Sequence, residues 1–196
     1  KLTGTGAGND YWRALDSGAR EVLDFTDAGL ASTYRTPVSV LEATSLNLVG
    51  HLVARGCDRI VVEIADGLLQ AETDALTRSS TFHTLVDRVL FTGGDALSAI
   101  GGVRVLRERG FDVAGISGLV TASPLPLREA NGSCGVPVLR IEDLANPETA
   151  AKLVTYSAAR HETPASSGPA GTGTGVPSPE PDDLPESTFE DDEEDE

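Results

Sequence analysis

Residues Arg59–Glu72 read RIVVEIADGLLQAE, and the fold assignment turns on this stretch. Ile60, Val61 and Val62 form the short β-branched run expected of a strand covered on both faces, as in a parallel sheet. The run ends in Glu63, with Asp66 and Gly67 just beyond. Ligands of open α/β sheets sit outside the carboxyl ends of the strands, so acids placed there point to a metal or phosphate site. The same two acids equally suit a solvated loop leading into the next helix.

Outward from this segment, apolar runs alternate with helix-like stretches, the pattern of a mostly parallel sheet flanked by helices. Val22–Phe25 is a predicted strand, closing on Asp24, Thr26 and Asp27. Thr36 and Pro37 read as the N-cap and first residue of a helix that lines up Val38, Leu41, Leu48, Leu52 and Val53 and stops at Gly56. A short helix over Phe82–Val86 and a strand over Val89–Phe91 follow. Asp95 caps a helix whose Leu97, Ile100, Val103 and Leu106 face the sheet, with Gly110 as its stop. Gly101 and Gly102 inside that helix imply a close backbone approach. Further strands are predicted at Val113–Ile116 and Val138–Ile141, a helix between them from about Leu127 to Cys134, and a closing helix from Pro147 to about Ala159. The fold class is α/β. Residues 1–160 form the domain, and 161–196 read as a disordered Pro/Gly/Ser-rich acidic tail.

The formal charge of −16 sits mostly in that tail: from His161 onward there are 12 acids and no Lys or Arg. The preceding residues hold 19 acids against 15 bases, which is unremarkable. No Lys/Arg cluster offers to neutralise phosphates, so a nucleic-acid partner is not expected. The tail reads as a solvating arm or a docking arm for a basic partner. Two cysteines, Cys57 and Cys134, fit a reducing cytoplasm and two small buried hydrophobes better than a disulfide scaffold. No apolar run reaches membrane-spanning length. The chain starts at Lys1 and contains no methionine, from which residues preceding Lys1 are expected.

The opening KLTGTGAGND carries Gly4, Gly6 and Gly8, which permit close backbone approach as a phosphate cradle requires. Its spacing is neither G-x-G-x-x-G nor a Walker A loop, and by itself it reads as a flexible loop. The histidines His51, His83 and His161 lack metal-ligand spacing, so zinc is not expected. Ser123 and Ser133 lack the flanking glycines of a nucleophile elbow.

In combination, KLTGTGAG, VVEIADGLL, VLFTGGDALSAIGGVRVLRERG and VAGISGLV resemble the dethiobiotin synthetase-like branch of P-loop NTPases, over roughly residues 1–145. The likeness is to D-glutamate N-acyltransferase and the cobyrinate-amidating and molybdopterin-guanine-dinucleotide accessory enzymes. That family's Lys-Pro…Thr-Gly loop is resembled by Lys1, Thr5 and Gly6. Its Val-Glu-Gly-Ala-Gly-Gly-Leu strand end is resembled by Val62, Glu63, Ala65, Gly67 and Leu68. The resemblance implies an ATP- and Mg2+-dependent ligase or acyl-transfer enzyme acting on a small carboxylate or amine. It implies Glu63, with Asp66, on the magnesium, and Lys1 near substrate or γ-phosphate. Asp24 or Asp27 would hold a metal-bound water or substrate amine, although Asp-Phe-Thr-Asp-Ala-Gly is also good turn chemistry. Thr5, Gly6, Gly67 and Asp95 complete the cofactor side.

Two departures stand out. No G-x-x-x-x-G-K-[ST] occurs in these residues, and Ser117-Gly118 replaces the asparagine that reads the base in dethiobiotin synthetases. Without a phosphate loop the chain as given is expected to be inactive, and loss of a first strand would leave an edge that favours a homodimer. The alternative expectation is a non-catalytic α/β binding or regulatory module with an acidic docking tail. A nicotinamide-binding Rossmann reader ranks third.

Overall fold

The computed structural model describes residues 1–155, so the predicted disordered tail and the end of the closing helix lie outside the described residues. Among the described residues regular strand pairing is confined to β1 (Val89–Thr92) and β2 (Val113–Ser117), which run parallel in one sheet. The helices are α1 (Gly8–Asp16), α2 (Val38–Ala54), α3 (Ala71–Arg78), α4 (Ser80–His83), α5 (Ala96–Glu108), α6 (Pro124–Ser133), α7 (Ile141–Leu144) and α8 (Pro147–Val154). A 3-10 turn, Leu119–Thr121, leads into α6. The architecture is mixed α/β.

The β1–α5–β2 unit forms as its residues dictate. Asp95 Oδ1 accepts from the Ser98 amide at 2.7 Å while Ser98 Oγ accepts from the Asp95 amide at 3.0 Å, a reciprocal cap that starts α5. The helix buries Ala96, Ala99, Gly102, Val103 and Leu106. Leu97, expected on this face, is 79% exposed, because one residue is 100° of helix away from the Ala96–Ala99–Val103 stripe. At the far end Gly110 takes a left-handed φ of 89°, and the Phe111 amide donates to the Leu106 carbonyl at 3.0 Å. The same 6→1 closure ends α2, where Gly56 has φ 79° and the Cys57 amide donates to Leu52 at 3.1 Å.

The close approach expected in α5 is real for one of its two glycines. A Cβ on Gly102 would lie 2.2 Å from the Phe91 ring, whereas one on Gly101 would meet open space. Phe91 on β1 therefore presses against bare backbone, and this sets the spacing between sheet and helix.

Outside β1 and β2 the expected sheet is represented by extended chain with sparse hydrogen bonds. Ile116 bridges Val138, with the Leu139 amide donating to the Ile116 carbonyl at 2.8 Å. The predicted strand Val138–Ile141 ends there, because the Arg140 amide turns to Asp143 Oδ2 at 2.9 Å and opens α7. On the other side Lys1–Thr3 runs between residues 23–25 and 63–65. The Phe25 amide donates to the Lys1 carbonyl at 3.1 Å and the Leu2 amide to the Glu63 carbonyl at 2.9 Å. Neither Val22–Phe25 nor Ile60–Ile64 qualifies as a strand. Burial in the second segment alternates: Ile60, Val62 and Ile64 are half-buried, while Val61 is 88% exposed. The β-branched run is thus covered on one face, not both as expected.

Smaller corrections follow from local chemistry. Pro37, not Thr36, is the N-cap of α2, and the Thr36 amide is already committed to the Thr33 carbonyl at 3.1 Å. Of the expected α2 face, Leu41 and Leu48 are buried together with Thr44 and Ser45, whereas Val53 is exposed. Helix α6 starts earlier than expected, at Pro124, where a proline costs no hydrogen bond.

One apolar core joins these parts: Leu2, Leu41, Leu76, Phe82, Val103, Leu106, Phe111, Ile116 and Val120 belong to it, with Leu23, Val62 and Ile64 packed against it. Phe82 meets Phe111 edge-on at 6.2 Å, and His83 stacks on the same ring at 4.1 Å. Cys134 is buried as expected; Cys57 is half-buried.

Gly102→Ala should destabilise the protein by roughly 1–3 kcal/mol in urea denaturation, the cost of overpacking a tight contact. Gly101→Ala should be neutral or stabilising by up to about 1 kcal/mol. Equal effects of the two substitutions would refute the close approach.

Candidate functional site

The glycine-rich opening is not a loose loop. Lys1–Thr3 is extended and largely buried, Thr5 bridges Ser32 in antiparallel fashion, and α1 starts at Gly8. Helix α1 went unpredicted, although Tyr11, Ala14 and Leu15 stand at helical spacing and are half-buried along with Asp10. It carries Asp10 in its first turn.

That helix completes a charge cluster. Lys1 Nζ donates to Asp10 Oδ2 and lies 3.7 Å from Glu63 Oε1. The lysine side chain is 13% exposed, whereas Asp10 and Glu63 are 38% and 50% exposed, so one shielded cation faces two solvent-facing carboxylates. Its stem runs beside Gly4, where an added Cβ would come within 3.1 Å of Lys1 Cε. Hydrogen bonding from Lys1 to Asp10, reinforced by the charge of Glu63 and opposed by burial, raises the Lys1 ammonium above the ordinary lysine value. The same hydrogen bond holds the Asp10 carboxyl below the usual range.

Asp24 and Asp27 each commit a carboxylate oxygen to the turn they share with Thr26. Asp24 Oδ1 accepts from the Thr26 amide at 2.8 Å and from the Thr26 hydroxyl, and Asp27 Oδ2 accepts from the Asp24 amide at 2.8 Å. This is Asx-turn chemistry. Both acids nevertheless line an open depression of about 610 Å³, shared with Gly6, Gly8, Tyr11 and Ala31. Gly6 is pinned there: its amide donates to the Ala31 carbonyl at 3.1 Å, and a Cβ would lie 3.0 Å from Thr26 Cγ2.

Beyond Glu63, Asp66 adopts a left-handed φ of 71° and is exposed, and the Gly67 carbonyl accepts from the Gln70 amide at 3.0 Å. Asp95 caps α5, and hydrogen bonding from the Ser98 amide holds its carboxyl below the usual range. The structure thus brings Lys1 and Glu63 together, puts Asp24, Asp27 and Gly6 around a neighbouring depression, and commits Asp95 to helix capping. Among the described residues no three His, Cys, Asp or Glu side chains converge as a metal-holding group.

Three further residues escaped the sequence reading. Glu72, buried in α3, accepts the Arg35 amide on one oxygen and the Gln70 side-chain amide on the other. Arg35 itself has a left-handed φ of 57°, a conformation that costs a non-glycine residue on the order of 1–2 kcal/mol. The third is Asp10. For Glu72 the only signal was Gln70 at a helix-capping position two residues earlier.

Comparison with known proteins yields no match to a family, to a curated protein or to a solved structure. No helix among the described residues is long and apolar enough to cross a membrane.

Asp10→Asn should lower the NMR titration midpoint of the Lys1 ammonium more than Glu63→Gln does, because Asp10 is the larger cause of the raised value. The sign of the stability effect follows. The Asp10 contribution is present above its unfolded pKa and fades as pH falls through the lowered folded value, and the Lys1 contribution fades as pH rises through its raised one. A larger shift from Glu63→Gln would contradict the assigned pairing.

Proposed function

We propose that this chain is part of an ATP- and Mg2+-dependent P-loop enzyme of the ligase or acyl-transfer type, acting on a small carboxylate or amine. The observation that supports it most directly is the convergence of Lys1 with Glu63 from adjacent extended segments, at 3.7 Å. These are the residues whose surrounding motifs carry the resemblance to dethiobiotin synthetase-like proteins.

The donor chemistry fits magnesium of the kind held by one or two carboxylates, with phosphate and water oxygens filling the other positions. Glu63 is half exposed and can turn to such an ion; Asp66, three residues on, is the second oxygen donor within the same loop. Bound there, the ion would neutralise charge on the transferring phosphoryl group. Lys1 acts as a fixed positive charge and not as a base, since its pKa is raised and not lowered. To receive an anion it must exchange Asp10, its hydrogen-bonded partner on α1, for the incoming oxygen. The depression beside Gly6 and Gly8 suits a small polar substrate, with Asp24 and Asp27 presenting carboxylate to an amine.

The base is not read at Gly118. Its φ is 95° and a Cβ would lie 3.0 Å from the Gly93 carbonyl, so that corner has room for no side chain, and Ser117 before it is buried. The reading also requires a phosphate-binding loop outside residues 1–196, since none of these residues forms G-x-x-x-x-G-K-[ST]. The cytoplasm is the proposed location.

The test is Mg2+-dependent ATP turnover by the native protein, with its upstream coding sequence read at the same time. Turnover should fall on the order of 10²-fold in Glu63→Gln and in Lys1→Ala, and residues 1–196 alone should be inactive. A native protein without the loop, or turnover indifferent to Glu63→Gln, would leave the non-catalytic α/β binding module with its acidic docking tail as the better description.

A further inference from the structure

We propose that the groove between residues 19–23 and 58–62 seats an extended segment of this same polypeptide, the residues immediately preceding Lys1, which joins the two walls into a parallel sheet. The inference goes beyond the proposed function and does not depend on it.

Direction and register are set by hydrogen bonds already made. The Lys1 nitrogen donates to the Leu23 carbonyl at 2.9 Å, and the Lys1 carbonyl accepts from the Phe25 amide at 3.1 Å. This is the parallel pattern, with Lys1 level with Asp24. On the other edge the Leu2 amide donates to the Glu63 carbonyl at 2.9 Å, which puts Leu2 level with Ile64 and Lys1 level with Glu63. Extended chain running back from Lys1 therefore passes between residues 20–23 on one side and 59–62 on the other. The second wall already has the side-chain period of a strand, with Ile60, Val62 and Ile64 half-buried and Val61 exposed between them.

The groove matches such an occupant in shape and in chemistry. It measures about 480 Å³, and besides the two walls it is lined by Tyr11 and Ala14 of α1 and Leu48 and Leu52 of α2. Among the described residues the main-chain amides of Glu21, Leu23, Val61 and Glu63 make no hydrogen bond. These are the amides that point into the groove: the Leu23 and Glu63 carbonyls face Lys1 and Leu2, and alternate residues of a strand share a side. Main-chain amides in partly buried chain are paired almost without exception. An extended polypeptide offers carbonyls to both walls at once and at the matching spacing, as in strand addition to a sheet edge. A small apolar molecule would fill the volume and leave the four amides unpaired. The faces are also assigned, since Leu2 is buried in the core with Leu48 while Lys1 turns to Asp10 on α1. The residue immediately before Lys1 falls on the Leu2 face and should be apolar.

The test is NMR of the native protein with its upstream residues, read for amide exchange and through-space contacts. The amides of Glu21, Leu23, Val61 and Glu63 should exchange on the order of 100-fold or more slower than unstructured amides. They should also show contacts to the residues just before Lys1. A native protein that begins at Lys1, a charged residue immediately before it, or four unprotected amides with the upstream residues present overturns the proposal. So do contacts that an isotope-mixed sample shows to run between two molecules. A protected upstream segment in a native protein without Mg2+-dependent ATP turnover supports the proposal and sinks the ATP reading alone.

Discussion

The main chain of Lys1–Thr3 is hydrogen-bonded along both edges, to Leu23 and Phe25 on one side and to Glu63 on the other, with the Thr3 hydroxyl reaching the Ala65 carbonyl at 3.0 Å. Everything at the candidate site depends on this double attachment. It places the Lys1 side chain beside Glu63, carries Gly4 into contact with Thr33, and aims the following residues into α1, so that Asp10 returns over the lysine. Buried Leu2 and Thr3 fix the segment by packing as well as by hydrogen bonds. A charge cluster built this way owes its geometry to backbone pairing and not to the flexible side chains that compose it.

The electrostatics divide the acids by task. Asp24, Asp27 and Asp95 each lend a carboxylate oxygen to shaping a turn or a helix start, accepting from a nearby amide. Glu72 is buried and anchors a strained loop. Asp10 and Glu63 alone of the site acids share a lysine, and they remain half in solvent. An anion approaching Lys1 would therefore compete with partly exposed, water-screened partners and not with a sealed ion pair.

The alternation of elements was legible from residue 89 to residue 117. There Asp95, Gly110 and the Val113–Ile116 run obey local rules, and the structure follows them through β1, α5 and β2. The opening was illegible for a physical reason: glycines and threonines say little about conformation, and what orders Lys1–Thr5 is pairing with segments some twenty to sixty residues away. The pattern misled at Val61, whose β-branched side chain suits a strand on either face and cannot report that one face is open. Leu97 misled similarly, since large apolar residues outrank alanine in any hydrophobic reading although alanines and a glycine make the contact. Lys1 and Glu63 were found as motif members. Arg35 and Glu72 were missed because their roles lie in backbone contacts, to which side-chain chemistry in a sequence is blind.

Arg109 has a consequence for motion. Its guanidinium, almost wholly buried at the end of α5, donates to Asp74 and Thr77 of α3 and approaches the Leu68 carbonyl at 3.4 Å. The loop that carries Asp66 and Gly67 is therefore leashed, through a single side chain, to the helix that crosses from β1 to β2. Displacing that loop means giving up the Arg109 contact to the Leu68 carbonyl, and at the other end of the leash α5 lies against Phe91 through bare Gly102.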